Sequence, residues 1–143
     1  MATEHESLTS PLLARVGEAI AQAGGWLPFD RFMSMALYEP GLGYYANATP
    51  KFGSLPQGGS DFVTAPELTP LFGQALARQV AQALAATGTD EVWEFGAGSG
   101  ALARQVLDAL TVLGKAPSRY TIVDLSGSLR ERQRASLEAH AGR

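Results

Sequence analysis

Apolar positions recur at helical spacing near the start of the chain. In PLLARVGEAIAQA, residues 11–23, Leu12, Val16 and Ile20 fall four apart, which is one face of a helix. Ser10 suits its cap and Pro11 its first turn, where a missing N–H costs nothing, and Gly24-Gly25 ends it. After Trp26-Leu27-Pro28, Asp30 is placed to cap a shorter helix in which Phe32, Met33, Ala36 and Leu37 read as a core-facing stripe. Periodicity then stops. Residues 39–61, EPGLGYYANATPKFGSLPQGGSD, are rich in Gly, Pro, Asn and Ser and read as a loop. Loops of that length inside compact domains tend to be functional lids or disordered, and the aromatic residues here argue for a segment that packs on something. Tyr44 and Tyr45 are read as packing of such a cover rather than as chemistry.

Helical spacing returns at Thr69-Pro70, with Leu71, Phe72, Ala75, Leu76, Val80 and Leu84 along one face and Gly88 as the stop. EVWEF at 91–95 reads as a strand, ALARQVLDALTVL as a helix stopped by Gly114, and YTIVD at 120–124 as a second strand. A last helix begins between Ser126 and Ser128, where Ser128 and Glu131 have capping-box spacing, and runs through Leu129 towards Leu137. Strand, helix, strand, helix is the signature of a parallel α/β sheet. Two parallel strands are too few to stand alone, so the chain is expected to be the front portion of a longer protein. Its open sheet edge and uncovered apolar face would then invite self-association.

The 143 residues suffice for one core, and 45% hydrophobic with 17% charged is ordinary globular composition. A net charge of −3 gives no basic footprint for nucleic acid. With no cysteine, disulfides, thiolate metal sites and cysteine nucleophiles are excluded; His5 and His140 stand far apart and read as solvated, so no metal is expected. No apolar stretch approaches the ~18 residues of a membrane span, and MATEHESLTS resembles neither a secretory signal nor a transit peptide, so the expected location is cytoplasmic.

Candidate chemistry centres on VWEFGAGSGALAR, residues 92–104. A loop leaving a strand and entering a helix must turn sharply and let its backbone approach a ligand, and a Cβ would hinder both. Glycines at 96, 98 and 100 meet that demand, and the helix beyond directs free N–H groups at whatever is bound. A phosphate-cradling P-loop needs a Lys–Ser/Thr pair after the last glycine, where this chain has Ala101-Leu102. A dinucleotide loop is a closer contender, because Gly96, Ala97, Gly98, Ser99, Gly100 and Ala101 satisfy a relaxed GxGxxG/A pattern. Glu94 favours another ligand. A carboxylate beside a pyrophosphate repels it, whereas one beside a cation attracts it. S-adenosylmethionine carries an ammonium and a sulfonium and no phosphate. Asp124, ending the next strand, could accept from both ribose hydroxyls in the same crevice.

EFGAGSG and IVDLS resemble motifs of the Rossmann-like S-adenosylmethionine methyltransferases. FMSMALYEPGLGYY at 32–45, DFVTAPELTPLFG at 61–73 and IVDLSGSLRERQ at 122–133 resemble, more narrowly, the MidA-like methyltransferases, in consistent order over residues 26–136. That family includes a mitochondrial complex I assembly enzyme that methylates an arginine. The resemblance implies a class I methyltransferase fold begun here and left incomplete: two parallel strands with flanking helices, preceded by an N-terminal helical and loop cap. It implies an N-terminal and cap segment at 1–88 and the first half of a cofactor domain at 89–143. Carried over by position, Gly96, Ala97, Gly98 and Gly100 would line S-adenosylmethionine, Glu94 would face its methionine end, Asp124 would bind the ribose, and Leu125 and Ser126 would pass near the adenine. Thr64 and Pro66 would face the cofactor or the acceptor, and Glu67 is the candidate general base for a protein arginine acceptor. Family members are longer, so this chain is expected to be an incomplete and inactive portion. Two other readings remain, a NAD(P)-dependent oxidoreductase using the same loop and a non-catalytic binding or assembly module.

Overall fold

A computed structural model describes residues 4–47, 49 and 63–142, with the side chains of 4–10 excepted. The chain divides into two compact units at Thr49/Pro50. The loop expected at 39–61 is described only as far as Asn47 and at Thr49, so its remainder lies outside the described residues.

In the first unit, α1 spans Glu4–Gln22 and α2 spans Phe29–Tyr38. Helix α1 starts earlier than the Ser10-Pro11 signal suggests, and Pro11 lies inside it. A proline there forgoes one bond, to the carbonyl four residues back, and the turns on either side still close. The cap of α2 is Pro28, with Phe32 N–H bonded to its carbonyl at 3.0 Å; Asp30 sits inside the first turn and favours the helix dipole instead of capping it. The stripe expected to face a core is only partly covered: α2 has no buried residue, and Phe29 and Phe32 are exposed. What the helix does hold is the chain that follows. Tyr44 N–H reaches Ala36 O at 2.9 Å and Tyr45 N–H reaches Leu37 O at 2.8 Å. Gly43 makes this return possible, since a Cβ there would lie 2.6 Å from the backbone nitrogens of Tyr38 and Glu39. Tyr45 stacks on Tyr38 at 5.8 Å and meets Tyr44 edge-on at 4.8 Å. Arg15 ties α1 to the end of α2 through Glu39 at 3.2 Å.

The second unit holds α3 (Ala65–Leu68), α4 (Leu71–Thr87), β1 (Glu91–Phe95), α5 (Ala101–Val112), β2 (Arg119–Val123), α6 (Gly127–Ser136) and a 3₁₀ turn at Glu138–His140. The strands pair in parallel, Glu91 opposite Arg119 and Phe95 opposite Val123. Alternation divides their side chains. Val92, Glu94, Tyr120 and Ile122 share the face on which Tyr120 packs against the α5 core, while Trp93, Phe95 and Val123 stand exposed on the other. The core is formed by Val106 and Leu110 of α5 with Ala77 of α4.

Helix α4 meets α5 through the small residues Gly73 and Ala77, and of the large apolar stripe that its spacing suggests Val80 packs against the core while the N-terminal members do not. Gly73 and Ala77 are buried, whereas Leu71, Phe72 and Leu76 are exposed. The reason is proximity: a Cβ on Gly73 would lie 2.3 Å from Gln105 Cβ, so only a bare backbone fits. This packing places α3 and α4 in the same compact unit as the strands. Ser126, not Ser128, caps α6, its Oγ accepting from Leu129 N–H at 3.3 Å. His140 is not solvated: its side chain is largely covered and bonds Asp108 of α5 at 2.8 Å. The side chain of His5 lies outside the described residues.

Candidate functional site

The glycine loop leaves β1 at its C-terminal end. Gly96 N–H extends the ladder to Val123 O at 2.9 Å, and Gly100 N–H closes a turn onto Ala97 O at 2.9 Å. Gly96, Gly98 and Gly100 all have positive φ, of 69°, 56° and 83°, a region that a side chain makes costly. Space around Gly96 is open where its Cβ would stand. Ser99, between the last two glycines, accepts from Ala101 N–H at 3.2 Å and so supplies the cap that Gly100 lacks.

A cavity of about 360 Å³ opens over this loop. It is lined on one side by Glu94, Gly96, Ala97, Gly98 and Ser99 and on the other by Thr64, Pro66 and Glu67. The TAPEL turn and the glycine loop, thirty-odd residues apart in sequence, thus face one another. Two bonds hold them so. Ser99 Oγ donates to Glu67 Oε1, and Gln105 Nε2 donates to Pro66 O at 2.7 Å. Glu94 accepts from the Tyr120 hydroxyl at 2.8 Å. Burial raises the Glu94 pKa, with the Tyr120 bond acting in the opposite direction. Burial also raises Tyr120, reinforced by the adjacent carboxylate, so the phenol keeps its proton and remains the donor.

Gly100, Asp124, Leu125 and Ser126 are not among the residues lining this cavity. Asp124 follows β2 and is half-buried. Its Oδ1 accepts from Ser126 N–H at 2.9 Å and its Oδ2 from Gln133 Nε2 at 2.9 Å. The Leu125 side chain is exposed, whereas Ser126 is buried and its hydroxyl is spent on the α6 cap. Four residues unmarked in the sequence therefore shape the site: Ser99, Gln105, Tyr120 and Gln133. Gln133 carried a signal, being a polar residue between Leu129 and Leu137 on the apolar row of α6.

Carboxylates and a glycine turn at the C-terminal ends of adjacent parallel strands, under a helix N-terminus, define a nucleotide-cofactor crevice of the Rossmann-like class. Residues 75–143 match a family model described as "Putative S-adenosyl-L-methionine-dependent methyltransferase". The chain is similar to the mitochondrial protein arginine methyltransferase NDUFAF7 homolog of Caenorhabditis elegans, at 31% identity over 81% of this chain and 28% of that protein. It is similar also to the homolog of Drosophila melanogaster, at 32% identity over 75% of this chain and 23% of that one. A crystal structure from Burkholderia thailandensis, bound to S-adenosyl-homocysteine, matches 99% of this chain and 36% of its own, at 54% identity and a TM-score of 0.88. The chain belongs to the MidA-like family of S-adenosylmethionine-dependent methyltransferases. It spans about a quarter to a third of the length of these relatives.

Proposed function

We propose that this chain forms the methyl-donor half of a protein methyltransferase site, with S-adenosylmethionine held in the crevice over Gly96–Gly100. The observation that carries this reading is the convergence of Glu94 and Glu67 on one cavity with the glycine loop, with no lysine or arginine among the described residues that line it. Two carboxylates would repel a pyrophosphate and attract an ammonium or a sulfonium. The open space at Gly96 suits the same ligand, because it admits an atom where a side chain would otherwise stand.

S-adenosylmethionine, when bound, supplies an electrophilic methyl carbon on a sulfonium. The residues around it have separable tasks. Glu94, steadied by Tyr120, faces the cationic methionine end. Gly96, Ala97, Gly98 and Gly100 bring backbone close, Asp124 receives the ribose hydroxyls, and the exposed Leu125 offers apolar surface to the adenine. Thr64 and Pro66 close the far wall. Glu67, held by Ser99, meets the acceptor. A guanidinium starts protonated, with a pKa above ~12, so its attack requires a carboxylate to orient it and take its proton. Arginine is the favoured acceptor because two relatives are named protein arginine methyltransferases. The link to respiratory complex assembly rests on the MidA-like resemblance.

Calorimetric titration of this chain tests the reading. S-adenosylmethionine and S-adenosylhomocysteine bind and NADPH does not; binding of NADPH in their place overturns it. Methyl transfer to arginine peptides, compared between this chain and a longer relative, then reports how much of the machinery the chain holds.

A further inference from the structure

We infer that Gln133 is a positioning residue of the crevice, its amide joining the glycine loop to the ribose-binding acid. Gln133 Nε2 lies 3.0 Å from Gly98 O and 2.9 Å from Asp124 Oδ2, and the residue is 4% exposed. Both partners are acceptors, so the –NH₂ end of the amide must face them, and its two protons are consumed there. One bond therefore ends on the loop after β1 and the other on the acid after β2.

The local architecture serves this contact. Ser126 caps α6 and starts the helix that carries Gln133 inward seven residues later. Gly100 clears its path, since a Cβ there would stand 3.3 Å from Gln133 Cα. Arg130, one turn earlier, fastens the backbone beside the acid by donating to Asp124 O at 2.7 Å and Leu125 O at 3.3 Å. Asp124 is thus gripped at Oδ1 by Ser126 N–H and at Oδ2 by Gln133. Each carboxylate oxygen has two acceptor sites, so one on each remains for a vicinal diol. A carboxylate held in one orientation before the ligand arrives loses little freedom on binding it. A tie that served stability alone would not need to end on the two ligand loops. This inference rests on the S-adenosylmethionine reading of the crevice.

The test compares wild type, Gln133→Leu and Gln133→Glu in calorimetric binding of S-adenosylhomocysteine and of its 2′,3′-dideoxy analogue. Gln133→Leu is expected to bind S-adenosylhomocysteine about tenfold more weakly, the cost of ordering on binding an acid that is no longer held in place. Gln133→Glu is expected to bind more weakly still, as it sets a carboxylate against a carboxylate. For the dideoxy analogue, which leaves Asp124 nothing to accept from, the loss should shrink to about twofold. Equal loss for both ligands, or none, overturns the inference while the cofactor reading stands. A wild-type chain that binds neither ligand overturns both. If the variants do not fold, the Gln133 side-chain amide resonances of the wild type decide: a shift on saturation with S-adenosylhomocysteine but not with the dideoxy analogue supports the role, and no shift with either overturns it.

Discussion

The Tyr120 hydroxyl donates to Glu94 Oε2 across 2.8 Å, joining β2 to β1 on the sheet face that packs against α5. A carboxylate that faces the cavity over the glycine loop is therefore anchored from the core side. Its tasks in stability and in binding pull in opposite directions.

Burial lifts Glu94 above the ordinary carboxylate pKa of 4.5, so the folded chain keeps this proton to higher pH than the unfolded chain does. The contribution of Glu94 to stability is then full below pH 4.5 and declines as pH rises through the raised folded value. Glu94→Gln keeps an acceptor for Tyr120 and removes that decline. Denaturant unfolding at pH 5 and pH 8 should show a smaller difference in the variant than in wild type. Binding moves the other way: affinity for S-adenosylmethionine at pH 8 should fall about tenfold, as expected for loss of a charge partner.

Removing the donor tests the same pair from the other strand. Tyr120→Phe leaves Glu94 half-buried without its hydroxyl partner and should cost about 1–3 kcal/mol at pH 8, by denaturant unfolding. Near pH 4 the carboxyl is protonated and can rotate to another partner, so the cost should be smaller. Equal costs at both values would show that the charge on Glu94 does not strengthen the bond.

The glycines at 96 and 100 should separate binding from folding. Both have positive φ, so alanine at either carries a backbone strain of about 1–2 kcal/mol. At Gly96 the new methyl points into open space, while at Gly100 it presses on Gln133 Cα at 3.3 Å. Gly96→Ala should therefore melt only a few degrees lower and lose most of its cofactor affinity. Gly100→Ala should melt lower than Gly96→Ala, because α6 has to move. Calorimetric titration and thermal unfolding of the two variants side by side check the order.

How much of this was legible in the sequence follows from what each signal measures. Periodicity and punctuation marked both strands, the glycine loop and the ends of α4 and α5, because those depend on neighbours in the chain. Glu94, Thr64, Pro66 and Glu67, singled out from charge logic and resemblance, do meet in one cavity. The large apolar residues of α4 misled, since Leu71 and Leu76 advertise burial and Gly73 does not, yet the close approach of α5 selects Gly73. Ser126 and Ser128 are equally plausible caps by composition, and only the path of the chain after Asp124 distinguishes them. Gln105 and Tyr120 act across 39 and 26 residues, separations over which pattern along the chain carries no information, and Gln133, acting across 35, showed itself only as a polar residue on an apolar row.

Gly73 and Gly17 make the packing argument quantitative, because both lie inside helices and differ only in what surrounds them. By propensity alone, alanine in place of either should stabilise by about 0.5–1 kcal/mol. Around Gly17 there is nothing within 4 Å of the new Cβ, so Gly17→Ala should raise stability by that amount. At Gly73 the new methyl would sit 2.3 Å from Gln105 Cβ and 2.7 Å from its Oε1. Relieving that clash means parting α4 from α5 or turning Gln105 away from Pro66, and either change opens the Val106–Leu110–Ala77 core or frees the α3 turn. Overpacking of this kind costs about 1–3 kcal/mol, more than the propensity gain, so Gly73→Ala should destabilise. If Gln105 is the part that yields, Gly73→Ala should also weaken cofactor binding, because Pro66 and Glu67 ride on the turn that Gln105 holds. Unfolding midpoints of the two variants should move in opposite directions.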